Sequence, residues 1–185
     1  METFTGAREM VRNPRYAQDR RDLLATLDLS AIDAPIVDLV TGFAALPHCF
    51  TLQCCFGHFV CGPDQDAHNL DPIAADCCEP VTYRIAYFAW CLEGSRRGRA
   101  LLDALARIPE SAPGYIQFGS ADWFWEQWAN SYVLQVEPFA YRLKDTAVLE
   151  SEEARRTQSA RDLFFRELRA LLAAETARVE SGTWE

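Results

Sequence analysis

Apolar residues recur at helical spacing in four stretches of the chain. In the first stretch, Asn13 and Pro14 supply a cap and a first-turn proline ahead of an apolar face. The last stretch begins at Ser151 with two glutamates, which stabilise a helix start, before its own apolar stripe. The pattern predicts helices at about residues 14–27, 36–43, 96–108 and 151–179.

Runs of aromatic, β-branched and thiol side chains predict strands between these helices. The runs cover residues 49–61, 81–92, 115–119 and 132–143. Pro138 interrupts the last run. Because proline removes a hydrogen-bond donor, this strand is predicted to lie at an edge, to bulge or to be split there. One or two helical turns are expected over 120–128.

Two heptapeptides match each other, EPVTYRI at residues 79–85 and EPFAYRL at residues 137–143. Both lie in predicted strands that lead into helices, which predicts two similar β-then-α units. The expected fold is therefore α+β, with a mixed or antiparallel sheet and helices packed on it. In a regular strand, Glu137 would share an apolar face with Phe139 and Tyr141.

Length and composition are those of a globular protein, with 185 residues of which 49% are hydrophobic and 24% charged. A single domain over residues 1–185 is predicted, with N-terminal helices over 14–45 and a sheet with helices over 49–179. The net charge is −9, because 27 acidic residues outnumber 18 basic ones. This charge disfavours general nucleic-acid binding, although it leaves tRNA open as a partner.

Targeting signals are not recognisable in the sequence. Residues 1–16 lack the apolar core of a signal peptide, and no segment has the roughly 18 apolar residues of a membrane span. We therefore expect a cytoplasmic protein without a membrane partner. Its seven cysteines are an odd number, which argues against a complete set of intramolecular disulfides.

All three histidines and all seven cysteines lie in one quarter of the chain, which suggests a metal site. Along an extended strand, however, Cys49, Cys55 and Cys61 face one way and His58 the other. Only a sharp reversal at Gly57 would bring Cys55, His58 and Cys61 together. Because cysteine is often buried as a small hydrophobe, we expect no metal, and a Cys/His metal-binding protein is the alternative.

Two further kinds of candidate residue have chemical uses. A Cys55 thiolate activated by His58 would be a nucleophile, although the sequence offers no third orienting residue. Three of the five tryptophans lie between residues 123 and 128. This cluster, represented by Trp125, is suited to stacking a flat heterocycle or to forming a core or homodimer surface.

Glu137 is the strongest candidate for a functional carboxylate. A carboxylate on an apolar strand face costs several kcal/mol unless it is paired or has a functional role. A salt bridge to an arginine across the sheet, or a position at the solvent end of the strand, would explain it equally well.

The segment IVDLVTGFAALPHCFTLQCCFGHF, residues 36–59, resembles the opening of the tRNA wybutosine-synthesising protein 3 family. In that family a helix leads into a strand that ends in a Thr-Thr-Ser-Ser-Cys-Ser-Gly-Arg motif. Thr51, Cys55 and Gly57 match this motif in register. Residues 137–139 match the family's later Glu-Pro-Phe strand, which a helix follows in both. The motif positions that differ here are Gln53, Cys54, Phe56 and His58.

Members of that family use S-adenosylmethionine to methylate a tricyclic guanine derivative in tRNA. The resemblance therefore implies an α+β fold and a site for S-adenosylmethionine or a nucleotide-like small molecule, with methyl transfer as an open possibility. In such a site Gly57 would let backbone amides approach the ligand, and Glu137 would accept its hydroxyl or amine protons. The site residues predicted in this way are Thr51, Cys55, Gly57, His58, Trp125 and Glu137. A non-catalytic interaction or assembly protein is the remaining alternative.

Overall fold

The protein is described by a computed structural model over residues 4–141 and 144–182. Residues 142 and 143, the last two of the predicted strand over 132–143, lie outside the described residues. The regular elements, in chain order, are β1 (Phe4–Thr5), α1 (Tyr16–Ala25), α2 (Val37–Ala45), β2 (Cys49–Cys55), β3 (His58–Cys61), β4 (Val81–Arg84), β5 (Ala86–Leu92), α3 (Arg96–Leu105), β6 (Ile116–Ala121), α4 (Asp122–Gln127), β7 (Ser131–Val136), β8 (Thr146–Leu149) and α5 (Ser151–Ser181).

These strands form two antiparallel sheets. The central sheet has five strands in the order β1-β6-β7-β5-β2, and the smaller sheet has three in the order β3-β4-β8. Every pairing among the described strands is antiparallel. The α+β prediction is confirmed, in its antiparallel form.

Two of the predicted strands each divide between the two sheets. The run over 49–61 becomes β2 in the central sheet and β3 in the smaller one, and the run over 81–92 becomes β4 and β5 in the same way. The prediction of continuous strands was wrong at both places. Apolar residues continue on both sides of each break, so the hydrophobic pattern does not show that the chain changes from one sheet to the other.

The two matching heptapeptides adopt different conformations. Residues 81–84 of the first form strand β4, whereas residues 139–141 of the second form a 3-10 helix after β7 has ended. The heptapeptides therefore do not form a structural repeat. None of the outcomes predicted for Pro138 is found among the described residues, because β7 lies inside the sheet and has already ended at Val136.

Helices cover both faces of the central sheet. Helices α2, α3 and α5 pack on one face and form the main core with it. This core contains Phe43 and Phe164 from the helices and Trp90 and Leu134 from the strands. On the opposite face, α1 packs Tyr16 on Phe50, and α4 packs Phe124 among Ala89, Ala121 and Val133. None of the described helices is long and apolar enough to cross a membrane.

His48 lies in the interior, at the start of the central sheet. Its Nε2 atom is 3.4 Å from Oε2 of Glu175, near the end of α5, and both side chains are fully buried. Arg178, one helical turn further on, donates to the other carboxylate oxygen of Glu175 at 2.6 Å. This contact joins the end of α5 to the start of β2.

Candidate functional site

The candidate site lies where the chain leaves the central sheet. Strand β2 ends at Cys55 and β3 begins at His58, so Phe56 and Gly57 form the turn between the sheets. Gly57 has a φ of +86°, and a Cβ there would stand 2.7 Å from the Cβ of Ala86. Glycine is required because other residues disfavour that φ and would collide with Ala86. The approach of a ligand to this backbone stays a prediction.

A β-bulge in β2 decides which side chains point toward the site. The register of β2 against β5 shifts after Thr51. Thr51 pairs with Trp90 on the core side of the sheet, whereas Cys55 pairs with Tyr87 on the other side. The predicted common face of Cys49 and Cys55 is therefore wrong, because the extra residue of the bulge reverses the alternation.

Three side chains with metal-ligand atoms meet beside this turn. Asp33, Cys55 and His58 each place one such atom within 4.8 Å of the other two. Oδ2 of Asp33 is 3.5 Å from Nε2 of His58, and it accepts a hydrogen bond from the backbone N–H of Phe56 at 2.8 Å. The side chain of Asp33 is 23% exposed and that of His58 only 3%, so solvent reaches the cluster through Asp33.

The second ring nitrogen of His58 is held by the loop that follows β3. Nδ1 lies 3.2 Å from the backbone oxygen of Asn69. Because a carbonyl oxygen can only accept, Nδ1 carries the proton of the neutral ring. In the neutral form of the ring, the lone pair is then on Nε2, the nitrogen that faces Asp33.

The Cys55 thiol is not prepared as a free nucleophile. Burial raises its pKa, and the negative charge of Asp33 raises it further, although the backbone N–H of Gly57 opposes the shift. The direction is opposite to the lowering by His58 that a reactive thiolate requires. Asp33 supplies the third residue that the sequence lacked, but the unaided thiol stays protonated at neutral pH.

A buried arginine fixes the turn against α5. Arg161 is 3% exposed and donates from Nη1 to the backbone oxygen of Gly57 at 3.1 Å. Its guanidinium carbon is 4.1 Å from the ring centre of Phe56 and 5.1 Å from that of Phe59. Nη2 forms an ion pair with Asp162 at 2.8 Å. The turn is thus supported by a charge, a hydrogen bond and two aromatic rings.

Glu137 follows β7 directly and is only 1% exposed. Its carboxylate accepts hydrogen bonds from Nε2 of Gln135 at 2.8 Å, from Nε2 of Gln117 at 3.3 Å and from the backbone N–H of Lys144 at 3.0 Å. The expectation that Glu137 shares an apolar strand face with Phe139 is wrong, because the strand has ended before Phe139. Its neighbours are instead polar and largely buried.

These glutamines belong to a line of polar side chains that crosses four strands. Cys55 of β2, Tyr87 of β5, Gln135 of β7 and Gln117 of β6 are paired in register on one face of the sheet. We call these four residues together with Glu137 the polar row. Adjacent strands are about 4.8 Å apart, so the four-strand line is about 14 Å long. Further along the same face, α1 and α4 cover the apolar residues Ala89, Cys91 and Val133, and the face also carries the polar side chains of Gln53 and Ser131.

Gly57 and Glu137 lie at the same end of the central sheet. The buried hydroxyl of Tyr83 donates to the backbone oxygen of Val136 at 2.8 Å and accepts from the N–H of Ala86 at 2.9 Å. Ala86 contacts Gly57, and Val136 precedes Glu137. Burial raises the pKa of Tyr83, so the phenol keeps its proton and this link persists at neutral pH.

Thr51 and Trp125 lie away from this end. Thr51 is on the core side of the sheet, and Trp125 packs against Tyr132 with ring centres 5.7 Å apart, under the guanidinium of Arg8. Tyr132 and Val136 are at opposite ends of β7, about 13 Å apart at strand spacing. The structure therefore brings Cys55, Gly57, His58 and Glu137 to one end and does not bring Thr51 or Trp125 to them.

Sequence reasoning missed Asp33, Arg161 and the two glutamines. Asp33 is spaced from Ser30 like a helix-capping residue, but its side chain makes no cap hydrogen bond and bonds the turn at Phe56 instead. The glutamines could have been found from the sequence, because Gln117 and Gln135 are each the single amide in a largely apolar strand.

Similarity to known proteins does not identify a function for this chain. No protein-family model matches the chain, and no curated protein matches it. Two structures of the PH1069 protein from Pyrococcus horikoshii are similar at 10% and 11% identity, with TM-scores of 0.48 and 0.47. The first alignment covers 87% of this chain and 96% of the PH1069 chain, and the second covers 94% and 98%. A hypothetical protein from Aeropyrum pernix is 12% identical, with a TM-score of 0.39, covering 76% of this chain and 98% of its own.

Proposed function

We propose that the polar row binds a small nucleoside-like ligand, with S-adenosylmethionine as the first candidate. The observation that supports this is the buried Glu137 carboxylate, which two glutamine side chains contact at one end of the central sheet. Buried polar groups are costly unless they are hydrogen-bonded, and a group of them at one end of a sheet is typical of a binding site. Methyl transfer is the reaction that the family resemblance implies.

Charge favours a cationic or neutral ligand over a phosphorylated one. The chain carries a net charge of −9, and the row itself contains a carboxylate. S-adenosylmethionine carries a positive sulfonium and a positive ammonium, so both groups are attracted to such a site. The triphosphate of ATP would be repelled by the same field. The comparison of these two adenosine compounds therefore tests the electrostatic part of the proposal.

Four residues of the row contact the ligand in this proposal. The Glu137 carboxylate accepts hydrogen bonds from ribose hydroxyls or from the ammonium group. The amides of Gln117 and Gln135 offer both donors and acceptors to a base edge. The ring of Tyr87, which is half-buried, replaces Trp125 as the aromatic surface against which a base stacks.

Thermal unfolding with added ligand tests the proposal. S-adenosylmethionine at 100 times its Kd would stabilise the folded protein by about 2.7 kcal/mol. For a chain of this length, such a gain raises the melting temperature by roughly 5–10 °C. ATP at the same concentration is expected to give a clearly smaller rise. If saturating S-adenosylmethionine, adenosine and methionine all left the melting temperature unchanged, the proposed ligand class would be wrong.

Replacing Glu137 with glutamine should weaken binding of S-adenosylmethionine by between about tenfold and 100-fold. The change keeps the shape but removes the charge, and a hydrogen bond to a charged group contributes about 1.5–3 kcal/mol. Calorimetric titration measures the change. Glu126→Gln, at an exposed position of α4, is the matched control and should bind like the parent protein. Equal affinities for both variants would remove Glu137 from the site.

A further inference from the structure

We infer that Asp33, Cys55 and His58 form a binding site for a divalent transition-metal ion, with zinc as the best match. The three residues supply one oxygen, one sulfur and one nitrogen ligand. Zinc is bound by this combination of atoms, whereas magnesium and calcium prefer oxygen ligands alone. The proposal does not depend on the ligand suggested for the polar row.

The spacing of the ligand atoms is close to that of a tetrahedral centre. Zinc bonds of about 2.0 Å to nitrogen or oxygen and about 2.3 Å to sulfur place the ligand atoms of a tetrahedral site about 3.3–3.5 Å from one another. Nε2 of His58 and Oδ2 of Asp33 are already 3.5 Å apart, and all three atoms lie within 4.8 Å. The separations that remain are at most 4.8 Å, so they would have to shorten by no more than about 1.3 Å for all three atoms to bind one ion.

The residues around the cluster orient two of the ligands. Nδ1 of His58 donates to the backbone oxygen of Asn69, which leaves the Nε2 lone pair directed at the cluster. Histidines that bind metals commonly donate their other N–H to a carbonyl or carboxylate in this way. The backbone N–H of Phe56 holds the Asp33 carboxylate. An imidazole and a carboxylate are thus positioned before any ion binds.

The local fold explains why these three ligands could not be recognised from their spacing along the sequence. The bulge after Thr51 turns Cys55 to the side opposite the core, and the turn at Gly57 returns His58 to its vicinity. Asp33 comes from the segment before α2, more than twenty residues earlier in the chain. Cys61, the third ligand considered from the sequence, is replaced by a carboxylate that no local motif associates with Cys55.

Three protein ligands leave one position for water or for a substrate atom. This arrangement is typical of catalytic zinc sites, whereas structural sites are closed by a fourth protein ligand. Solvent access through Asp33 agrees with an open position. Cys55 is also the first residue of the polar row, so an ion bound here would lie beside any ligand bound along the row.

Metal analysis and cobalt titration of the full-length protein test this inference. Protein purified without added metal and then dialysed against zinc is expected to retain one zinc ion per chain. Cobalt(II) should give a tetrahedral visible spectrum and a thiolate-to-cobalt charge-transfer band, because Cys55 is a ligand. Cys55→Ser should abolish the charge-transfer band. Loss of a residue that only orients a metal ligand typically weakens metal binding by roughly 10- to 100-fold. His58→Gln removes a ligand and should therefore weaken cobalt binding by more than this.

Cys54→Ser is the matched control, because Cys54 is adjacent in sequence but faces the core side of the sheet. It should keep the parent spectrum and affinity. The inference is overturned if the unmodified protein neither retains zinc nor shows the charge-transfer band, or if Cys54→Ser removes the band and Cys55→Ser does not. The unmodified protein alone is decisive if a variant fails to fold. Titration of S-adenosylmethionine in the presence of a chelator tests the proposed function separately.

Discussion

Replacing Arg161 with methionine is expected to lower the free energy of unfolding by about 2–4 kcal/mol. The change leaves the buried carbonyl of Gly57 without its donor and removes the cation from between the rings of Phe56 and Phe59. Methionine fills most of the same volume, so the loss reports polar and cation–π contacts rather than a cavity. Urea unfolding at neutral pH measures the effect.

The control for this substitution is Arg166→Met, at an exposed position of the same helix. It should change the free energy of unfolding by less than about 0.5 kcal/mol, the usual range for surface positions. If the two variants were equally stable, Arg161 would not support the turn, and the account of how α5 fixes the site would be wrong.

Gly57→Ala should destabilise the protein by about 2–5 kcal/mol. Two effects add. An alanine at a φ of +86° costs about 1–2 kcal/mol, and its Cβ would stand 2.7 Å from the Cβ of Ala86, which forces the turn away from the start of β5. Unfolding in urea again gives the size of the loss.

Gly114→Ala separates the two effects. Gly114 has the same φ of +86°, but a Cβ there would meet no atom within 4 Å. Its substitution should therefore cost only the conformational part, about 1–2 kcal/mol. A loss at Gly57 no larger than that at Gly114 would show that the contact with Ala86 does not restrict the turn.

The helices were predictable from the sequence because each one shows its own local periodicity. The helices expected at about 14–27 and 96–108 occur as Tyr16–Ala25 and Arg96–Leu105. The strands were predictable as apolar runs but not as members of a particular sheet. At Gly57 and Ile85 the chain changes sheet within a run, and pairing with distant strands decides that change.

The candidate site was predictable only in part. Gly57 and Glu137 were recognised as unusual residues, and they do lie at one end of the central sheet. Trp125 was chosen because it belongs to a tryptophan cluster. It lies away from the site, because α4 is at the opposite end of β7. Asp33 joins Cys55 through the tertiary fold alone. The sequence pattern does not show that two residues this far apart along the chain lie close together in the fold.

Hydrogen exchange with and without S-adenosylmethionine tests directly whether the polar row is the binding site. Slower exchange is expected in residues 55–59, 86–88, 115–119 and 134–137 when the ligand is bound, with little change in α1. Absence of protection at saturating ligand, or protection confined to α1 and the region around Trp125, would contradict it.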